Sequence, residues 1–93
     1  MSYPDETMRF ARDLAEEVVR LARELLQAGT DLAYVQTVYT IAAIEILSDA
    51  EALGVLAASG DQDAGAALDE SLSKLAALRD RARQERDQGR SDG

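Results

Sequence analysis

Cysteine, histidine, asparagine and tryptophan are all missing from this 93-residue chain, and each absence closes a route. Without cysteine there are neither disulfides nor thiolate metal ligands, and redox chemistry does not constrain the compartment. Without histidine the usual general base and the commonest metal ligand are gone, and with them the serine and cysteine triads in their familiar forms. Aromatics make up only 4% of the chain and there is a single proline. A core must therefore be built from Leu, Ile, Val and Ala, and Ala-rich helix packing favours long straight bundles.

Positive charge is scarce where it would matter for nucleic acid. From Glu24 through Ser73 there is no Lys or Arg, while the same stretch carries nine acids, and the whole chain has a formal net charge of −8. Unneutralised carboxylates repel phosphate backbones, so no direct nucleic-acid partner is expected. An acidic face suits solubility first, and a basic protein partner second. The opening MSYPDETMRF lacks the apolar segment of a secretory leader, and Gln36, Glu45, Asp49 and Glu51 interrupt the most apolar stretch. Neither a leader nor a membrane span is expected, and the simplest location for a small acidic protein of this bacterial type is the cytoplasm.

What the chain does have is helical periodicity. The expected fold is all-α, one domain over residues 1–93, with helices at about 5–28, 31–58 and 61–86 and a disordered tail at 87–93. Ser2-Tyr3-Pro4-Asp5 has the form of a capping box. Ala11, Leu14, Ala15, Val18, Leu21, Ala22 and Leu25 recur at three- and four-residue steps and make one stripe on the first helix. Its other face is laced with charges four apart, Arg9 to Asp13, Arg12 to Glu16, Glu16 to Arg20 and Arg20 to Glu24, which mark a solvated surface. Gly29-Thr30-Asp31 and Ser59-Gly60-Asp61 read as short turns ending in helix caps, so an antiparallel three-helix arrangement is predicted. Leu68, Leu72, Leu75 and Ala82 give the last helix its stripe.

The middle segment, Asp31 to Ala58, is apolar on nearly every face, which places it in an interior. Two flanking helices cover only part of such a perimeter, so the expected partner is a second copy of the chain, in an oligomeric helical bundle. Another protein with a basic or apolar surface would serve as well. The candidate interface residues are Tyr34, Val38, Tyr39, Ile41 and Ile44 in the first half of the segment and Ile46, Leu53 and Leu56 in the second. Tyr34 and Tyr39 fall on different faces of an α-helix; core packing with the hydroxyl reaching an edge is the first expectation for them, and an aromatic anchor in an interface is the second. Ala50, Gly54 and Ala58 are four apart, so Gly54 either admits a close neighbour or breaks the helix.

Two acids stand out on that segment. On a 3.6-residue helix Glu45 shares a face with Tyr34, Val38, Ile41, Ala42, Ala52 and Leu56, with Asp49 one turn further along, and the outward polar face would be Thr37, Thr40, Ser48 and Glu51. Glu45 and Asp49 are therefore expected to be buried and paired, with Lys74, Arg12 or a tyrosine hydroxyl as partner. The alternative is a carboxylate-only divalent-metal site of Glu16, Glu17, Glu45 and Asp49, since hard cations prefer oxygen ligands. All-α pyrophosphohydrolases of the MazG type carry EExxE and ExxD on successive helices. Here Arg20 stands where the third acid belongs, and Glu45 to Asp49 is one residue too long. Asp61, Asp63, Asp69 and Glu70 do not make a calcium loop, because Ala66 and Leu72 occupy the required Gly and Glu positions. Ser71-Leu72-Ser73-Lys74 matches the SxxK of penicilloyl-serine enzymes but lacks their other motifs.

Three functions from different classes follow. The first is a non-enzymatic interaction and assembly module forming a homo-oligomer, with no cofactor and no catalytic residues. The second is a small metal-dependent hydrolase built on the four carboxylates. The third is an acidic inhibitor of phage or plasmid type that occupies a basic groove.

Overall fold

The computed structural model describes residues 3–91, all but a few of them helical, with no strand among them. Ser2 of the expected capping box lies outside the described residues. Helix α1 spans Tyr3–Gln27. A second helical rod is made of α2 (Leu32–Val35), a π-helical segment at Gln36–Ile41 and α3 (Ala42–Ala58), followed by α4 (Gln62–Ser91). The three rods pack together in an elongated body of 50 × 22 × 17 Å, with α1, α3 and α4 each touching the other two.

The stripe on α1 is buried at all seven expected positions. Burying a Leu or Val side chain contributes about 1.5–3 kcal/mol, so Leu14, Val18, Leu21 and Leu25 dominate this side of the core. In α4 the buried positions are Ala64, Leu68, Ser71, Leu75 and Ala82, with Leu72 and Leu78 half-buried. The apolar core continues through Val35, Tyr39, Ala43 and Ala50 on the middle rod.

Both turns use the same device. Gly29 adopts φ +93° and Gly60 φ +98°, the left-handed region open to glycine. After α1, Thr30 N–H donates to the Leu25 carbonyl and Gly29 N–H to Leu26 (3.0 and 3.1 Å); after α3, Asp61 N–H donates to Leu56 and Gly60 N–H to Ala57 (3.2 and 3.0 Å). These are Schellman turns that satisfy the last helical carbonyls. An aspartate then starts the next helix. Asp31 Oδ1 accepts from Tyr34 N–H and Asp61 Oδ1 from Ala64 N–H, each at 3.0 Å.

Two expectations need correction here. The last helix does not stop near Arg86 but continues to Ser91. Its charged end is tied down by polar contacts: Arg83 pairs with Glu17, Arg86 reaches Glu24 at 3.1 Å, and Glu85 accepts from two tyrosines. The charge lacing of α1 is also different. Arg20 lies 4.0 Å from Glu17, while Glu17 and Glu24 turn toward α4.

Gly54 is buried inside a continuous α3. A Cβ there would stand 2.9 Å from Met8 Sδ, so the glycine serves the close approach of α1.

Candidate functional site

The π-helical segment decides which side of the middle rod faces inward. Val35, Tyr39 and Ala43 are all fully buried, at steps of four residues. In an α-helix such a series drifts by about 40° per step. The wider i→i+5 turn at Gln36–Ile41 absorbs the drift and keeps the three on one side. From Ala43 onward the inward positions are Leu47, Ala50, Gly54 and Ala57, at alternating steps of four and three, and all are buried or half-buried.

Tyr39 therefore lies in the core with its hydroxyl at the edge of it, which fits the core-packing reading of the tyrosines and removes Tyr39 from the candidate interface. The same turn brings Tyr34 and Tyr39 together rather than onto different faces. Their rings meet edge to face, with centroids 6.1 Å apart. Both hydroxyls donate to one carboxylate: Tyr34 to Glu85 Oε1 at 2.8 Å and Tyr39 to Glu85 Oε2. Arg81 Nη2 donates to the Tyr34 hydroxyl at 3.4 Å. Burial first, and the adjoining Glu85 carboxylate second, push the Tyr39 phenol well above its ordinary value of 10.0. This clasp joins the π-helical segment to the polar end of α4. Its two tyrosines were singled out in the sequence, but Glu85 was not.

Apolar surface is left over chiefly on the outward side of the middle rod, with Phe10 and Leu26 exposed on α1 besides. Ile41 is 47% exposed, Ile44 56%, Val55 70% and Leu56 49%. With 3.6 residues per turn these four share one face with Ser48 and Ala52, opposite the buried Ala43, Ala50 and Gly54. Leu32, at the start of the rod, is also exposed. Of the interface residues expected from sequence, Ile41, Ile44 and Leu56 are exposed, whereas Tyr34, Val38, Ile46 and Leu53 pack against the core. Val55, the most exposed of the large apolar side chains, was missed. It stands eleven residues from Ile44, three full turns, and the correct phase would have found it.

Glu45, Asp49 and Lys74 are exposed in the single chain, not buried. The face assigned inward from sequence, that of Ile41, Ala52 and Leu56, is the outward one, because the buried side is fixed by Tyr39 and Ala43. The four carboxylates of the metal alternative do not converge. Among the described residues no three acids lie close enough to share a cation, and Glu17 is engaged by Arg83 and Arg20.

Beside the outward face runs a groove of about 290 Å³ floored by Ala15, Val19, Ile44 and Leu47 and edged by Glu16, Arg20 and Arg23. A separate pocket nearer the start of α1 is lined by Asp5, Met8 and Arg12 with Glu51, Gly54 and Val55. Among the described residues Arg12 and Arg23 have no acid within ion-pair distance. The outward face and its groove thus combine an apolar strip, arginines on the α1 side and carboxylates on α3. Such a surface can hold a helix; it presents no paired nucleophile and base.

Comparison with family models, with curated proteins and with solved structures finds no match to this chain. No helix among the described residues is long and apolar enough to cross a membrane.

Proposed function

We propose that this protein is a non-enzymatic assembly module, an antiparallel three-helix unit whose middle helix joins it to copies of itself. One observation carries the reading: Ile41, Ile44, Val55 and Leu56 lie about half or more exposed along a single face of the middle rod, from the end of its π-helical segment through α3. Aliphatic side chains aligned on one helix face are what a helix-to-helix interface needs, whereas isolated exposed apolar residues call for no explanation. The reading as a groove-occupying inhibitor is less favoured, because the outward face from Ile41 to Leu56 is mostly aliphatic, with Glu45 between Ala52 and Leu56 and Glu51 at the edge toward α1. The hydrolase reading loses its ligand set with the separation of Glu16, Glu17, Glu45 and Asp49.

The test is the solution mass of the full chain across a concentration series, beside the variant Ile44→Lys/Val55→Lys. The wild type should rise from one subunit mass toward a multiple of it, and the variant should stay at one. A wild type that remains a single subunit up to its solubility limit overturns the proposal.

A further inference from the structure

The pattern on the outward face of α3 is complementary to itself, and the geometry points to a second copy of this chain packed against it antiparallel, with the two-fold axis at Ser48. This inference rests on the assembly reading above and specifies the occupant and its direction.

Counting from Ser48, Ile41 lies seven residues before and Val55 seven after, while Ile44 lies four before and Ala52 four after. All four are exposed on the same face as Ser48. A two-fold axis perpendicular to the helix reverses the order of the second copy. It sets Ile41 of one chain level with Val55 of the other, Leu56 beside that pair, and Ile44 level with Ala52. Each large side chain then meets either another large one at the ends of the seam or a small one near its centre. Ser48 at the axis is small, and Ile44 four residues away meets the small Ala52, which lets the two helices approach closely. A parallel pairing would instead set Ile44 on Ile44 and Ala52 on Ala52, crowding one level and leaving a void at the other. An isologous contact requires this kind of self-complementarity.

The charges agree with the same arrangement. The middle rod carries Glu45, Asp49 and Glu51 and no cation. Among the described residues Arg12 and Arg23 on α1 have no acid within ion-pair distance, and Arg20 is held only at 4.0 Å by Glu17. Ile44 and Leu47 share a groove with Arg20 and Arg23. Glu51 of the second copy, three residues past Ser48, comes level with residue 45 of the first, between those two side chains. Glu51 is on the α1 side of its own helix, where it borders the pocket of Met8 and Arg12. A perpendicular two-fold keeps that side in common, so Glu51 of each copy faces the Arg20 and Arg23 edge of the other. Glu45 lies toward the α4 side, between Ala52 and Leu56, where it borders the seam and is exposed in the single chain.

The chain has no cysteine, so single thiols can be placed at will. The experiment uses the full chain with Ser48→Cys, Ile41→Cys or Val55→Cys, a short bis-maleimide cross-linker, and solution mass measured in parallel. Ser48→Cys should cross-link to itself. Ile41→Cys alone should not, because an antiparallel seam holds its two copies about 21 Å apart along the axis. An equimolar mixture of Ile41→Cys and Val55→Cys should link chain to chain. Ser73→Cys, exposed on α4, is the control and should give only background. If the protein is dimeric by mass but Ile41→Cys links to itself and the mixture yields no mixed product, the direction is overturned and the assembly reading stands. If it is dimeric and none of the α3 positions links, the seam is elsewhere and this inference falls. A single-subunit mass at every concentration removes both.

Discussion

Replacing Tyr39 by Phe removes one hydroxyl from a fully buried ring and leaves its volume almost unchanged. That hydroxyl donates to Glu85, whose other oxygen is held by Tyr34 at 2.8 Å. A hydrogen bond to a charged group contributes about 1.5–3 kcal/mol when its partner is left behind in the interior. Glu85 is only half-buried, so water replaces part of the lost bond, and phenylalanine is less costly to bury than tyrosine. The net loss should be about 1–2 kcal/mol, which for a domain of this size corresponds to a fall in Tm of roughly 5–15 °C. Alkaline pH supplies an independent reading of the same contact. The Tyr39 phenol is raised above its ordinary value of 10.0, chiefly by burial and then by Glu85. Its contribution to stability is therefore complete below about pH 10 and is lost as pH climbs toward the folded-state value, because the unfolded chain releases its proton first. Thermal melts followed by circular dichroism at neutral pH and above pH 10 measure both effects. Tyr39→Phe should melt lower at neutral pH and decline less steeply than wild type in alkali. An unchanged neutral Tm would mean that the clasp adds nothing, and an equally steep alkaline decline would mean that the sensitivity arises elsewhere.

Four further outcomes follow from the same contacts. Val55→Ser should leave the melt of the dilute single chain within about 0.5 kcal/mol, since the site is exposed. It should also weaken self-association by about 2 kcal/mol summed over two copies, roughly 30-fold in Kd, measured by sedimentation equilibrium. Gly54→Ala sets a helix-propensity gain of about 1 kcal/mol against displacement of the flexible Met8 thioether, so stability by urea unfolding should move by less than about 1 kcal/mol, whereas Gly54→Leu should cost about 1–3 kcal/mol by overpacking. A double-mutant cycle on Glu24 and Arg86, which meet at 3.1 Å with both side chains partly in water, should give a coupling below about 1 kcal/mol that shrinks with added salt. Glu45→Leu should leave the fold of the dilute chain intact and tighten self-association, and a large loss of thermal stability would show that its carboxylate has a partner within the subunit.

How much of this molecule could be read from the letters depends on whether local or tertiary forces set each feature. The α1 stripe, both glycine turns and their aspartate caps are local, and every one of them is where periodicity and turn chemistry put it. The phase of the middle rod is not local. Its residues are aliphatic all round, so hydropathy offers no preferred inward side, and an ideal 3.6-residue count carried from Tyr34 to Leu56 accumulates whatever error one wide turn introduces. The π-helical segment at Gln36–Ile41 introduces such an error, by letting Tyr39 enter the core with its hydroxyl on Glu85. One displaced turn parted Glu45 and Asp49, now on the surface, from Tyr34 and Val38, which pack against the core and would share their face in a regular helix. It thereby dissolved the candidate metal site and left the apolar strip from Ile41 to Leu56 exposed.

The end of α4 escaped notice for a related reason. After Leu78 the apolar repeat fades, and a search for apolar stripes takes that for a loss of structure. Glu85 and Arg86 hold the helix through polar contacts to residues 51 and 62 positions away in sequence, which no local pattern encodes. The clasp and the outward strip are thereby coupled. Tyr39 fixes the rotation of the rod about its own axis, and that rotation decides which aliphatic residues α3 turns to water. Any substitution that lets the wide turn relax to a regular α-helix should rotate one half of the rod against the other by about 100°, the angle of one residue. Either Tyr39 would leave Glu85, or Ile44 and Val55 would turn inward and the exposed strip would be lost. The integrity of the proposed seam therefore depends on a carboxylate that makes no contact with it.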